Sequence, residues 1–134
     1  FVMRAASHNI TVAGHVEDVR PYLRRPCAVV CPVRFAVGTQ NKVLEPMAMG
    51  VPVLATTEAI ASLSVEPDRH LLVADDPDAF AEQAVRLFDD EALREALSRQ
   101  GREYVGTHHD WGRICDDLAG FYSAKIESRN RTAP

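Results

Sequence analysis

The sequence predicts an α/β fold, a Rossmann-like parallel sheet with helices on both faces. Short apolar runs of strand length alternate along the chain with amphipathic segments of helix length. The run at residues 27–31 (CAVVC) is apolar without alternation, which is typical of a strand buried on both faces of a parallel sheet. Because strands that alternate with helices form βαβ crossovers, helices are expected to cover both faces.

The first elements are a strand and a short helix. Residues 9–13 (NITVA) alternate and contain β-branched side chains, which predicts a strand. Gly14 and His15 then turn the chain. Asp18 is a candidate N-cap for a helix that ends near Arg25, where the following proline stops it.

The central elements follow the apolar run at residues 27–31, the second predicted strand, which Pro32 ends. Residues 43–49 predict a helix, and Gly50 stands at its C′ position, where a left-handed conformation is cheap for glycine. Residues 51–55 (VPVLA) predict the third strand. Thr56 and Thr57 are candidate caps of a short helix at residues 58–63.

The last strand and three longer helices complete the chain. Residues 70–74 (HLLVA) predict the fourth strand, and an aspartate–proline pair at residues 76–77 begins a helix. The face of that helix that is expected to pack on the sheet consists of Phe80, Ala84, Leu87 and Phe88. A second helix follows residues 89–90, with Gly101 as an interruption. Residues 110–128 predict the C-terminal helix, capped by Asp110 and with an apolar face of Trp111, Ile114, Leu118 and Phe121; its polar end at residues 127–134 is expected to fray.

Composition describes one ordinary globular domain over residues 1–134. The net charge of −4 argues against a nucleic-acid binder, whose affinity depends on Lys and Arg. No apolar run approaches the ~20 residues that span a bilayer. The three cysteines form neither a zinc pattern nor a disulfide framework, so we expect a reducing, cytoplasmic compartment.

The segment from Gly38 to Glu45 carries the chemistry of a candidate binding site. The first amides of a helix have no intrahelical partner, and glycine lets an anion approach them closely. Gly38, Thr39 and Gln40 supply such amides, and Lys42 adds a positive charge. The Glu45 carboxylate can accept hydrogen bonds from a pair of hydroxyls. This combination suits a nucleotide or a phosphorylated sugar.

Plainer interpretations of the polar residues stay open. Asn41 is a candidate N-cap, Lys42 can be merely solvated, and Glu45 is favourable near a helix start for dipole reasons alone. His15 and His70 fit structural roles better than catalytic ones. The run His108–His109–Asp110 does not converge on one ion without a further ligand, so no metal site and no cofactor are expected.

The central segment resembles a known family. Residues 42–54 (KVLEPMAMGVPVL) are similar to the donor-site signature K-x-L-E-A-M-A-x-G-x-P-V of group 1 retaining glycosyltransferases of the GT-B fold. Residues 9–23 and 75–88 resemble the family's flanking elements. The wording of residues 38–42 (GTQNK) is closest to a bacterial subgroup associated with exopolysaccharide export. Together the resemblance covers about residues 9–106.

The resemblance implies that the chain is the C-terminal, donor-binding half of a GT-B hexosyltransferase for polysaccharide or glycoconjugate synthesis. It implies a UDP- or GDP-sugar donor, and a preceding N-terminal domain and first strand, with residues 1–6 the tail of an earlier helix. This half alone is expected to be inactive. In the family pattern Glu45 holds the ribose hydroxyls, and the amides of Gly38, Thr39 and Gln40 meet the diphosphate. Lys42, with Arg34 as a weaker second, stabilises the leaving group.

The chain departs from the family pattern at residues 37 and 46. Val37 stands where many members carry a glutamate that contacts the donor sugar. Pro46 replaces alanine, which leaves the carbonyl of Lys42 without its helical partner, so we expect this carbonyl to be free to meet solvent or ligand. The loop after the third strand, residues 56–58 (TTE), tends to lie near the donor in the family, although capping explains these residues equally well.

Alternative functions remain a sugar-nucleotide epimerase half of the same fold and a non-catalytic α/β binding module. A sheet without its first strand exposes an edge, which predicts pairing of two copies. Membrane association is expected only through the missing part.

Overall fold

The computed structural model describes residues 9–132. The strands are β1 (Val29–Cys31), β2 (Val53–Ala55) and β3 (Leu72–Val73), and the helices are α1 (Arg20–Leu23), α2 (Asn41–Ala48), α3 (Thr57–Ile60), α4 (Pro77–Asp89), α5 (Glu91–His108) and α6 (Trp111–Thr132). The helix tail expected at residues 1–6 lies outside the described residues.

The three strands form a parallel sheet in the order β1-β2-β3. Val29 pairs with Val53, and Leu54 pairs with Leu72, so the carboxyl ends of all three strands lie at one edge. All of β2 is buried. The burial on both faces that was expected for residues 27–31 is wrong, because β1 is an edge strand of the described sheet and Val30 is 51% exposed. The parallel α/β fold expected from the sequence is therefore confirmed.

Helices cover both faces of the sheet. Val53 and Ala55 of β2 belong to a cluster that includes Val43 and Met47 of α2. Leu54, which points to the opposite face because side chains alternate along a strand, packs with Leu87 of α4 and with Leu97 of α5. The site elements α2 and β1 thus rest on the first of two hydrophobic layers.

The strand expected at residues 9–13 is wrong. Within the described residues this stretch carries only an isolated bridge at Ile10, which is 50% exposed. Alternation of β-branched residues makes a strand only where a neighbour completes the ladder of hydrogen bonds. In the described sheet, β1 pairs with β2 and β2 with β3, and neither ladder includes residues 9–13.

The helix after residues 9–13 is shorter than expected. It spans Arg20–Leu23, and the residue in the N-cap position is Val19. Asp18, the predicted N-cap, lies one residue before that position, and its carboxylate accepts a hydrogen bond from the Arg20 amide at 2.9 Å. This single turn forms one wall of the candidate site.

The ends of the longer helices follow their capping residues. The Asp76 carboxylate accepts hydrogen bonds from Asp78 and Ala79 at the start of α4, and Asp90 ends α4 and caps α5. At the end of α2, Gly50 adopts φ +74° and its amide binds the Met47 carbonyl, as its C′ position predicts. Proline at the first position of α4 is also as expected.

One expectation about helix surfaces is wrong. Phe88 is 72% exposed, because Leu87 takes the core position and Phe88 lies about 100° farther around the helix. The C-terminal helix extends to Thr132 and keeps its apolar face outside the described core, with Trp111 77% exposed. No helix in the described part of the chain has the length and apolar character to cross a membrane.

Gly101 does not interrupt its helix, contrary to expectation. Helix α5 runs unbroken from Glu91 to His108, and Gly101 is buried inside it. A β-carbon at this position would lie 2.9 Å from the backbone oxygen of His70 and 3.5 Å from Met47 Cε. The glycine is required by the close approach of α5 to the chain before β3 and to α2.

Tyr104 of α5 fixes the chain that leads into β3. Its ring is 3% exposed, and its hydroxyl accepts a hydrogen bond from the Ser64 amide at 3.1 Å. The His70 ring lies against it, with the ring centroids 4.9 Å apart. The Glu66 amide donates to His70 Nδ1 at 2.9 Å, so the proton of neutral His70 is on Nε2. The structural role expected for His70 is confirmed.

The neutral state of His70 makes the fold sensitive to acid. Burial lowers the pKa of His70 below its usual value of about 6.5. Among the charged neighbours, Arg69 and His108 lower this pKa further, whereas Glu66 and Glu103 raise it. The unfolded chain therefore takes up this proton first, and the free energy of unfolding should decrease as the pH falls below that usual value. Thermal unfolding measured from about pH 8 to about pH 5 tests this, because that range brackets the usual histidine pKa of about 6.5.

Two substitutions give this pH series its comparison. In His70→Asn the side-chain oxygen can still accept the Glu66 amide, but nothing titrates at that position, so the acid-dependent loss should shrink. His15→Asn removes an exposed histidine and should leave the loss as it is. Equal pH profiles for the natural chain and His70→Asn would contradict the assignment.

Candidate functional site

Lys42 and Glu45 lie in one groove between α1 and α2. The groove has a volume of about 310 Å³. Its apolar wall is formed by Val19, Leu23, Val29, Val30, Cys31, Pro32, Val33 and Pro46. Glu45 also lines a continuation of about 420 Å³ that runs past Asp18 and Met49. We call the first part, of about 310 Å³, the α1–α2 groove, and it joins an apolar wall with the Lys42 cation and the Glu45 carboxylate. The continuation adds the charged side chains of Glu17, Asp18 and Arg20.

The first turn of α2 has no side-chain cap. Gln40 occupies the N-cap position without a capping hydrogen bond, and Asn41 is the first helical residue, so the alternative in which Asn41 caps the helix is wrong. Gln40 instead turns its side-chain amide back to the carbonyls of Val37 and Gly38. Within the described residues no hydrogen bond engages the backbone amides of residues 38–42. They remain available for an anion.

Side chains hold the loop before α2, residues 33–40, by its backbone. Thr56 donates to the Val33 carbonyl at 2.6 Å, and Glu58 accepts from the Ala36 amide at 3.3 Å. Ser62 donates to the Gly38 carbonyl at 3.1 Å, beside the bond from Gln40. Gly38 adopts φ +71°, a conformation that favours glycine. The loop is therefore fixed in place by α3 and the chain that follows it.

A buried thiol takes the place of the helical hydrogen bond that Pro46 cannot make. Pro46 has no amide hydrogen for the Lys42 carbonyl, and Cys31 Sγ lies 3.2 Å from that oxygen. Cys31 is 4% exposed, and burial raises the pKa of its thiol, so it stays protonated and can donate. The Lys42 carbonyl thus faces β1, which corrects the expectation that it would be open to solvent or ligand.

The Cys31–Pro46 pair predicts a thermodynamic coupling. Cys31→Ala should lower the free energy of unfolding, because the Lys42 carbonyl then loses its donor. With Pro46→Ala in the background, the new helical amide serves that carbonyl, and the cost of Cys31→Ala should be about 1 kcal/mol smaller. Cys31→Ser keeps a donor and should show little of this coupling. Chemical denaturation of the natural chain, Cys31→Ala, Pro46→Ala and the double variant measures the coupling. If the free-energy costs of the two single substitutions simply add in the double variant, the coupling is ruled out.

Arg34 lies in a different groove from Lys42 and Glu45. This second groove, of about 310 Å³, is lined by Pro32, Arg34, Thr56, Asp75, Asp76, Pro77, Phe80 and Ala81. Pro32, Thr56 and Asp75 each follow one of the three strands, so we call it the sheet-end groove. The two grooves share Pro32. The part of Arg34 in leaving-group stabilisation stays a prediction.

Residues 56–58 have structural roles, because their hydrogen bonds hold neighbouring parts of the chain in place. Thr56 is 8% exposed and accepts the Ala59 amide, so it caps α3 as one interpretation held. Thr57 donates to Asp75 twice, from its hydroxyl at 2.7 Å and from its amide at 2.8 Å. These bonds hold the pKa of Asp75 below its usual range, and the bond from the Thr57 hydroxyl has the larger effect. Asp75 is therefore a fixed carboxylate, and sequence analysis missed it although it follows a predicted strand.

The histidine run near α6 packs around Tyr104. The His108 ring stacks on Tyr104 with centroids 4.6 Å apart, and His109 Nε2 lies 3.3 Å from the tyrosine hydroxyl. Asp110 accepts the Arg113 amide at 2.9 Å at the start of α6. Within residues 9–132 no group of three or more His, Cys, Asp or Glu side chains is arranged to hold a metal ion.

Comparison with known proteins identifies the family. The model of the family described as "Glycosyl transferases group 1" matches residues 2–90, which span the α1–α2 groove and the loop before α2. The chain belongs to the group 1 glycosyl transferases. This membership agrees with the resemblance drawn from residues 42–54 and does not favour the epimerase half or the binding module.

Relatives of this group 1 chain are larger proteins. It is 28% identical over 129 residues to the capsular polysaccharide biosynthesis glycosyltransferase CapM of Staphylococcus aureus, covering 95% of the chain and 34% of that protein. It therefore spans about a third of the length of that relative. The bacterial polysaccharide connection expected from residues 38–42 is thus supported by a named relative.

Solved structures share the fold of this group 1 domain. The C-terminal domain of the group 1 glycosyl transferase LpcC from Francisella tularensis superposes with a TM-score of 0.66 at 22% identity, over 73% of this chain and 52% of that one. Sucrose-phosphate synthase from Thermosynechococcus elongatus superposes with a TM-score of 0.69 at 25% identity, over 82% of this chain and 28% of that one. The expected GT-B-type fold is confirmed.

Proposed function

We propose that the chain is the donor-binding part of a retaining transferase that moves a hexosyl group from a UDP- or GDP-sugar to a glycan acceptor. The observation that carries the proposal is the placement of Lys42 and Glu45 in one groove beside the uncapped start of α2. The chain covers 34% of CapM, so we propose that another domain supplies the acceptor site and the rest of the catalytic groups.

The α1–α2 groove and the loop before α2, whose residues 38–40 do not line the groove, together offer a partner for each part of a nucleotide. The apolar wall, which includes Val19, Leu23 and Pro32, suits the flat base. Glu45 is exposed in the groove and accepts the ribose hydroxyls, which gives charge-assisted hydrogen bonds. The backbone amides of Gly38, Thr39 and Gln40 and the ammonium of Lys42 receive the diphosphate.

The proposed chemistry is stabilisation of a leaving group. As the sugar departs, negative charge accumulates on the diphosphate, so positive groups that are already in place lower the barrier. Lys42 is exposed at the groove and forms no ion pair within the described residues, which leaves its charge for the ligand. These groups provide positive charge without a metal ion. Arg34, which lines the neighbouring groove on the other side of Pro32, is proposed as a weaker second cation for the same leaving group.

Calorimetric titration of the chain with UDP, GDP and their sugar conjugates tests the proposal. We expect one base to bind, and Lys42→Gln to weaken the diphosphate about tenfold while leaving the matching nucleoside unchanged, since a nucleoside has no phosphate for Lys42 to meet. Arg113→Gln, which removes an equal charge on α6, is the control. Equal losses for diphosphate and nucleoside would contradict the role of Lys42.

Transfer activity separates the domain from the complete enzyme. The chain alone should bind nucleotide but transfer no sugar, because the proposed acceptor site lies in another domain. Robust transfer by the chain alone would overturn this division. Absence of nucleotide binding by the folded chain and by the complete enzyme would overturn the donor-site assignment itself.

A further inference from the structure

We propose that the sheet-end groove binds a neutral pyranose ring, an inference that deepens the proposed function and rests on it. The groove lies at the carboxyl ends of β1, β2 and β3, which is where open parallel sheets bind ligands. It adjoins the α1–α2 groove through Pro32. Val37, which stands in place of the family's sugar-contacting glutamate, is not among its lining residues, so the saccharide contacts must come from other side chains.

The polar groups of this groove are arranged for hydroxyls. Arg34 lines the groove and is exposed, and within the described residues no hydrogen bond or ion pair engages its guanidinium, so its donors are unused. Opposite in charge, Asp75 is held by two hydrogen bonds from Thr57 and remains ionised. A fixed acceptor and an unused donor in one cavity match a ligand that both donates and accepts hydrogen bonds.

The charges of the sheet-end groove favour a neutral hydroxylated ligand over an anionic one. The amides at the start of α4 are already occupied, because Asp76 accepts hydrogen bonds from Asp78 and Ala79 at 3.0 Å. Two carboxylates, Asp75 and Asp76, stand against the single guanidinium of Arg34. A phosphate would face more negative than positive charge here, whereas hydroxyls can pair with both signs.

The remaining wall is apolar and of suitable size. Pro32, Pro77 and the half-buried ring of Phe80 line the groove beside the polar groups. The C–H face of a pyranose can pack on these side chains while its hydroxyls reach Arg34 and Asp75. A volume of about 310 Å³ is of the order that small-ligand sites have.

The saccharide has two chemical sources, the transferred sugar of the donor or a sugar of the acceptor. Titration of the isotope-labelled chain with methyl glucopyranoside, methyl galactopyranoside and methyl mannopyranoside, followed by backbone amide shifts, tests the site without a nucleotide. We expect one of them to shift the amides of Thr57 and Ala81, with an affinity in about the millimolar range. The amides of Asn41 and Lys42 should not respond.

Variants connect those shifts to the groove. Arg34→Gln and Asp75→Asn should each weaken the pyranoside at least about tenfold, because each removes a charged partner of its hydroxyls. Arg113→Gln should change nothing. The inference is overturned if none of the three pyranosides shifts these amides. As a weaker second cation, Arg34 should matter less to the nucleoside diphosphate than to the pyranoside. The inference is also overturned if Arg34→Gln weakens the two ligands equally, since Arg34 would then act chiefly on the phosphates.

Nucleotide-sugar distinguishes the sources. If the sugar conjugate shifts the groove amides and displaces the methyl pyranoside, the site holds the transferred sugar of the donor. If the pyranoside still binds to chain saturated with the conjugate, the site holds a sugar of the acceptor. Failure of the donor-site proposal appears separately, as unchanged amides at residues 38–42 when the nucleotide is added.

Discussion

Glu45→Ala is expected to weaken nucleoside diphosphate binding by about ten- to a hundredfold. The carboxylate lines the α1–α2 groove and makes no hydrogen bond within the described structure, so its acceptor capacity is reserved for a ligand. Hydrogen bonds from two ribose hydroxyls to a charged oxygen pair are stronger than neutral ones. Removal of the carboxylate leaves the hydroxyls with only water as partner.

The 2′,3′-dideoxy nucleotide provides the matched control for this prediction. It lacks both hydroxyls, so the natural chain should bind it about as weakly as Glu45→Ala binds the ordinary nucleotide. The variant should then show almost no further loss with the dideoxy compound. If Glu45→Ala weakens both ligands equally, the carboxylate acts through the fold or through another ligand group, and its ribose role is excluded.

Gly101→Ala is expected to destabilise the fold by about 1–3 kcal/mol. In an ordinary helix interior this change is stabilising by up to about 1 kcal/mol, because alanine is the better helix former. Here the new methyl group would lie 2.9 Å from the His70 backbone oxygen. A backbone carbonyl cannot swing aside as a side-chain end can, so α5 must move away from β3 or the turn before β3 must shift.

Gly106→Ala in the same helix is the matched control. Beyond the chain neighbours and the helix's own backbone, no atom of the described residues lies within 4 Å of the position that its β-carbon would take, so the substitution should stabilise by the helix-propensity gain alone. Chemical denaturation of both variants therefore gives changes of opposite sign. Stabilisation by both would mean that α5 packs less closely on residue 70 than the structure has it.

Local chemistry predicted the fold class and many helix ends, because these depend on neighbours in sequence. Asp76, Asp90 and Gly50 stop or start helices through bonds to residues within a turn. The strand predicted at residues 9–13 failed because pairing depends on a distant neighbour. The role of Gly101 failed for a related reason, since only the packed structure shows what a side chain there would meet.

The candidate site divides in the same way. Lys42 and Glu45 are one helical turn apart, so the sequence alone could place them on one side of α2. The sheet-end groove assembles Pro32, Thr56 and Asp75 through the parallel register of three strands, which no local pattern contains. The one available signal was that each residue follows a predicted strand. The hydrogen bond from Cys31 to Lys42 likewise depends on packing between β1 and α2.

The hydrogen bonds that hold the loop before α2 fix its backbone and leave its outward side chains unconstrained. Every loop atom that these side chains hold is a backbone atom: the carbonyls of Val33, Val37 and Gly38 and the amide of Ala36. The side chains of Phe35 and Val37 are 80% and 81% exposed, so they contribute little to that support. Substitutions can therefore alter the loop's outer surface residue by residue while the backbone keeps its path, so a change in what that surface contacts should cost little stability.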